Sequence, residues 1–423
     1  MEDQQLELSL GFRILDLPDK IIFDVLASLP FQSILRCRCV CKAFRSLLTD
    51  PYFAQLYLSR APTSFVLCQS FNFSACLYCM DLDASCFTAS LSSSSCLGRL
   101  HDHSSPTASL PRTTVGLPNH HRQQRALDNG DLKKLIQLNH KVELVNSCNG
   151  FLCLYSGSPT LPKYFVCNPI LGELETLPPP PSPKSGGQYL GYSGFGFCPK
   201  AKRYRIVRFV LQSNKMVAEV YTLGKQSWRI IENTASNSNS KPRGPSFDPF
   251  VHGALHWITD SSRSSELIYS FDMDSKKFQP VLPPSHLGND YVKKISWINV
   301  GALGSSLSLC YAFEGAVFEV WVMNDYGVRD SWTKRFAIDV SSYCGLRLEN
   351  YRPIGFMSNG DMWLACNSGS LVSYSPRKRS FKDINMHGIR SKIEAVPHIR
   401  SFVSLRDAFR GKGLEFRNIK PGE

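Results

Sequence analysis

The sequence predicts a small all-helical module at the N-terminus followed by an all-β ring of propeller type. Apolar residues recur at helical spacing between residues 19 and 48. Past residue 60 the texture changes to short runs rich in Val, Phe, Tyr and Trp, separated by Gly, Pro, Asn and Ser clusters. A divergent repeat with a spacing of roughly fifty residues runs through that second part, the length of one four-stranded blade. With 423 residues the chain suits two or three domains, and 43% hydrophobic content can bury a sizeable core.

The first helix follows Pro18, which fits a first turn because its missing N–H would be unpaired there, with Asp16 placed to cap it. Ile21, Ile22, Val25, Leu26 and Leu29 are assigned to one face, and Pro30 stops the helix. A second helix carries Ile34, Cys37, Cys41, Phe44 and Leu48 on one side, with Leu35, Val40 and Leu47 close by. So much apolar surface on so short a module marks an interface.

The run from Leu17 to Phe53 resembles the F-box. The matches are Leu17-Pro18, Val25-Leu26, Leu29-Pro30, Arg38-Cys39-Val40-Cys41-Lys42 and Arg45-Ser46-Leu47. Phe44 stands where plant F-boxes usually carry Trp; it keeps an aromatic plug and loses the indole donor. The resemblance implies binding to the Skp-type adaptor of SCF ubiquitin ligases and, through it, to cullin and RING subunits. It also implies adaptor contacts at Leu17, Pro18, Ile22, Val25, Leu26, Leu29, Pro30, Leu35, Cys39, Val40, Phe44 and Leu47.

The strand-like runs fall at 63–69, 75–82, 142–147, 151–155, 164–167, 194–198, 204–212, 217–222, 228–231 and 250–251. They continue at 254–258, 267–272, 306–313, 318–324, 333–338, 351–356, 361–365, 371–374 and 398–401. No long helix interrupts them, which excludes a doubly wound sheet. Each repeat opens on a glycine turn and a hydrophobic strand. Gly150, Gly253 and Gly360 mark three such starts, with Gly194 and Gly304 between them. Allowing roughly 45 to 50 residues per blade, the count is six. The N-terminal strands at 63–82 are expected to close the ring with a C-terminal strand around 399–405, which removes the open edge.

These repeats resemble the kelch-like F-box-associated domains of plant F-box proteins. The matches include Asn146-Ser-Cys-Asn-Gly-Phe-Leu-Cys-Leu, Cys167-Asn-Pro, Gly194-Phe-Gly-Phe, Gly253-Ala-Leu-His-Trp and Glu319-Val-Trp-Val-Met-Asn. The two resemblances imply a non-catalytic substrate receptor for ubiquitin-dependent protein degradation, whose propeller presents an unidentified protein target. The organisation is then a tail (1–11), the F-box (12–58), a propeller (60–405) with a low-complexity insert (88–139), and a basic tail (406–423). Two further readings stay open: a kelch-type propeller enzyme, or an interaction scaffold outside a ligase. The sequence names neither the target nor the face that binds it.

Other chemistry is weakly supported by the residues. The net charge is +13, but the basic groups at Lys200–Arg205, Arg377–Arg379 and the C-terminal tail are scattered and lack the aromatic interleaving of a nucleic-acid binder. Fifteen cysteines suit small buried hydrophobes in a reducing compartment. Cys76 and Cys79, with Cys86, Cys96, His101 and His103, lack the second pair a structural zinc site wants, so no metal or cofactor is expected. Ser193 misses the nucleophile-elbow spacing by one residue, Gly191, Gly194 and Gly196 miss the dinucleotide spacing, and Lys277 replaces the turn glycine of a calcium loop begun by Asp272 and Asp274. No run spans a bilayer and the acidic N-terminus lacks a secretory signal, so the expected location is nucleus or cytoplasm.

Overall fold

The structure is a computed structural model that describes residues 14–71, 74–81, 142–157, 162–181, 188–213, 215–232, 241–243, 248–259, 264–314, 317–340, 351–366, 369–384 and 393–411. The insert at 88–139, the tail at 1–11 and the end of the basic tail lie outside the described residues.

A 3-10 turn at Ile14–Asp16 leads into α1 (Asp19–Ser28). Pro18 itself holds the N-cap position, with no side-chain cap bond, and its carbonyl accepts from the Ile21 N–H at 2.9 Å; Asp16, expected as the cap, belongs to the preceding turn. The expected second helix is two helices, α2 (Phe31–Val40) and α3 (Lys42–Leu48). Cys41 sits between them at φ −155° and ψ 170°, an extended conformation that interrupts the hydrogen-bond ladder. A fourth helix, α4 (Pro51–Arg60), is capped by Asp50, whose carboxylate accepts from the Tyr52 N–H at 2.7 Å. Asp24 on α1 and Arg60 on α4 meet at 2.8 Å on the surface.

The ring begins with a hairpin, β1 (Thr63–Phe71) and β2 (Ser74–Asp81). The first four-stranded blade is β3 (Val142–Cys148), β4 (Phe151–Ser156), β5 (Lys163–Asn168) and β6 (Glu173–Thr176). The second is β7 (Gln188–Cys198), β8 (Arg203–Gln212), β9 (Lys215–Thr222) and β10 (Trp228–Glu232). The third is β11 (Phe250–Val251), β12 (Ala254–Ile258), β13 (Ile268–Asp272) and β14 (Phe278–Val281). After the four-residue helix α5 (Asn289–Val292) come β15 (Ile295–Leu303), β16 (Ser306–Phe313), β17 (Val317–Met323) and β18 (Trp332–Asp339). The fifth is β19 (Tyr351–Phe356), β20 (Met362–Cys366), β21 (Leu371–Ser375) and β22 (Ser380–Asp383).

The last strand, β23 (Ile393–Ile399), pairs antiparallel with β1 from Thr63↔Ile399 to Gln69↔Ile393. The two ends of the chain therefore share the sheet β2-β1-β23. β3 packs on β7 and β23, and β19 on β15 and β23, so leading strands face the axis and the circuit closes. The expected six blades become five four-stranded blades plus this three-stranded closing sheet among the described residues. The C-terminal strand ends at Ile399; residues 405–410 form a helix, α6 (Leu405–Arg410), where a tail was expected. Pro397 is tolerated inside β23 because that strand is the edge of its sheet.

Two of the predicted turn starts explain their glycines directly. Asn149-Gly150 (φ 49° and 83°) and His252-Gly253 (φ 51° and 75°) are two-residue hairpin turns that need positive φ at both positions. Gly194 is not of this set. It lies inside β7, where an added Cβ would stand 2.3 Å from Leu255 Cδ2 of the next blade.

Apolar clusters fill the seams between neighbouring sheets. Phe209 and Trp257 (4.7 Å between ring centroids) join the second and third blades, and Phe65 and Trp363 (4.8 Å) join the closing sheet to the fifth. Cys68, Cys148, Cys153, Cys167, Cys198, Cys310 and Cys366 are buried, as expected of small hydrophobes. Burial pushes the thiols of Cys148, Cys153 and Cys310 well up from their ordinary range. Among the described residues no helix is long and apolar enough to cross a membrane.

Candidate functional site

The candidate site is the outer surface of α1–α4. Its inner surface is packed: Ile22, Phe23, Leu26 and Ala27 of α1, Ile34 of α2, Leu48 of α3, and Phe53, Ala54, Tyr57 and Leu58 of α4 are buried. The Phe23 ring lies 6.0 Å from that of Phe53 and 5.6 Å from that of Tyr52, tilted against both. The outer surface is unusually apolar. Among the described residues, six of the eleven exposed large hydrophobics belong to this one module: Ile14, Leu15, Ile21, Val25, Val40 and Tyr52. Val40, at the end of α2 beside the Cys41 break, is the most open of them at 69%.

The predicted contact residues divide into three groups. Pro18, Val25, Pro30, Cys39 and Val40 are exposed. Leu17, Leu29, Leu35, Phe44 and Leu47 are half-buried, with one side on the core and one side open. Ile22 and Leu26 are buried, so they support the surface from beneath instead of forming it. The reason is angular: at 100° per residue, Ile21 and Ile22 cannot share the centre of one face, and the structure turns Ile22 and Leu26 in and Ile21 and Val25 out. Ile14, Leu15, Ile21 and Tyr52 are additional open apolar residues; the signal for Tyr52 was the Asp50-Pro51 cap, which fixes the phase of α4.

The sequence motifs considered for catalysis are in structural positions. Ser193 lies within β7, with Tyr189 donating to its hydroxyl at 3.4 Å. Asp272 ends β13 and caps the turn to β14, where Lys276 takes φ 58°. Among the described residues no group of three or more His, Cys, Asp or Glu could hold a metal ion; Cys86, Cys96, His101 and His103 lie outside them.

Two buried polar centres mark the ring. Glu319 accepts from Tyr311 (2.6 Å), Trp321 (2.8 Å) and Lys334 (2.7 Å), which ties the outer strands of the fourth blade. Arg208 and Glu219 form a buried ion pair in the second blade, with Arg208 also donating to the Pro181 carbonyl at 2.9 Å.

A bundle of helices with an open apolar face is fused in this chain to a closed β-propeller. Residues 14–56 match the F-box domain family and residues 115–402 match the F-box associated beta propeller domain family. The chain belongs to the plant F-box proteins that carry this propeller. It is 24% identical to F-box protein At3g07870 of Arabidopsis thaliana over 92% of both chains. It is 27% identical to F-box protein CPR1 of the same plant, over 76% of this chain and 73% of that one. Among solved structures it resembles TolB from Acinetobacter baumannii at 12% identity and a TM-score of 0.44, over 80% of this chain and 67% of that one.

Proposed function

We propose that the chain is a substrate-recognition subunit of an SCF-type ubiquitin ligase, with α1–α4 docking the Skp-type adaptor and the propeller holding a protein target. The observation that carries this reading is the concentration of exposed apolar side chains on the helices, against a ring whose own apolar residues mostly fill the seams. Through the adaptor the chain joins cullin and RING subunits, and its part in the reaction is to position a target.

The test is a titration of the purified full chain with a Skp-type adaptor. Burying an apolar side chain contributes about 1.5–3 kcal/mol, so Leu17→Ala with Pro18→Ala weakens binding at least about tenfold. Unchanged affinity of the double variant overturns the assignment.

A further inference from the structure

We propose that the F-box of this chain is not self-contained: its core is completed by Phe402 from the opposite end of the chain, and the docking helices keep their arrangement only while residues 400–411 are seated on the ring. Phe402 is buried, with its ring 6.0 Å from Phe31, 5.7 Å from Phe53 and, edge-on, 5.0 Å from Tyr57. The Arg400 guanidinium lies 4.5 Å over the Phe31 ring. Phe53 is the residue on which Phe23 of α1 packs, so Phe402 touches the point where α1, α2 and α4 converge.

The two middle helices add little to that core. α2 buries only Ile34 and α3 only Leu48. The buried residues of α1–α4 form no cluster of their own; they are continuous with Phe402, Val403, Leu405 and the first two blades. A module of this size is marginal without such a partner.

The segment that carries Phe402 is positioned by the blades. Asn168 donates from Nδ2 to the carbonyls of Ser401 (3.1 Å) and Val403 (2.8 Å). The Glu173 carboxylate accepts from the Ser404 hydroxyl at 3.0 Å and from the Leu405 N–H. Arg203 donates to the Phe409 carbonyl at 2.8 Å. Gly150 leaves room for Ser401, whose Cβ would stand 2.0 Å from a Cβ added there. The ring therefore presents Phe402, and the helices fold onto it.

The experiment uses the full chain, Phe402→Ala and Phe402→Leu, read by hydrogen exchange and by adaptor titration. In Phe402→Ala the amides of α1–α4 exchange at least tenfold faster while those of the fourth and fifth blades keep their rates, and adaptor binding weakens at least fivefold. Phe402→Leu, which keeps most of the buried volume, shifts the same amides less. The proposal is overturned if the helix amides exchange as in the unaltered chain in both variants, or if blade and helix amides accelerate together. The proposal rests on the docking reading only for its second readout. An unaltered chain that fails to bind the adaptor refutes that reading, and the exchange data still decide this one.

Discussion

Asn146 of β3 and Phe195 of β7 clasp the first two blades by a reciprocal pair of hydrogen bonds: Nδ2 donates to the Phe195 carbonyl and Oδ1 accepts from its N–H, each at 2.8 Å. The amide does between blades what a ladder does within one, and both groups it satisfies are buried. Asn146→Leu leaves a backbone donor and acceptor without partners, and it lowers stability by about 2 kcal/mol, read as a shift of the urea midpoint at constant slope.

Gly194 gives a second test of the same seam between blades. Its missing Cβ admits Leu255 of the third blade, a fully buried side chain with little room to retreat. Gly194→Ala costs about 1–3 kcal/mol from overpacking. Adding Leu255→Val recovers part of that loss, so a double-mutant cycle shows the two changes to be coupled.

Burial makes two histidines acid-sensitive. His256 on β12, held between the Pro249 carbonyl and the Tyr326 hydroxyl, is pushed down to about 4 by desolvation. His398 on β23, bonded to Ser147 at 2.8 Å, is pushed down to about 3 by desolvation and then by the Arg400 charge. A lowered histidine pKa means the unfolded chain binds the proton first. The stability each contributes is full above the unfolded value near 6.5 and falls as the pH drops from there toward 4 and 3. Each accounts for about 2 kcal/mol lost between pH 7 and pH 5. Urea midpoints at the two pH values, compared with His256→Gln and His398→Gln, show a smaller loss in each variant.

Surface and support separate cleanly on the helices. Ile22→Ala removes a buried side chain and destabilises by about 2–5 kcal/mol. Val40→Ala changes stability by no more than about 0.5 kcal/mol, since Val40 is open to solvent. Melting temperature orders the two variants in this way, while adaptor titration shows Val40→Ala weakened at unchanged melting temperature.

Period and punctuation carried the fold into the sequence reading. Alternation gave most strands, and Asn149-Gly150 and His252-Gly253 marked true hairpin turns. The reading failed where long-range packing decides. Gly194, read at the head of a strand, does lie in β7, but its contact with Leu255 was not legible. Closure with the N-terminal strands was expected, and Pro397 moved the expected strand to 399–405 where β23 is Ile393–Ile399. On the helices the period was right and the phase was not, which put Ile22 and Leu26 on the surface. Asn168 sat in the quoted Cys-Asn-Pro motif, and it shapes the turn there: its Oδ1 accepts from the Ile170 N–H at 2.9 Å. Its second role, holding the carbonyls on either side of Phe402, joins positions too distant for any local pattern to connect.

The pairing of β1 with β23 also makes the molecule a gauge of its own length. The Ser64 hydroxyl donates to the His398 carbonyl, 334 residues later, at 2.6 Å. During synthesis, which proceeds at about 5–20 residues per second, β1 must wait tens of seconds for the strand that covers its edge. A polypeptide released before residue 393 lacks that cover entirely, and it lacks Phe402 as well. Premature termination anywhere in the blades thus leaves a bare sheet edge beside an unfinished helical core, surface of the kind that chaperones and proteases act on. Only a chain translated past Phe402 can hide both.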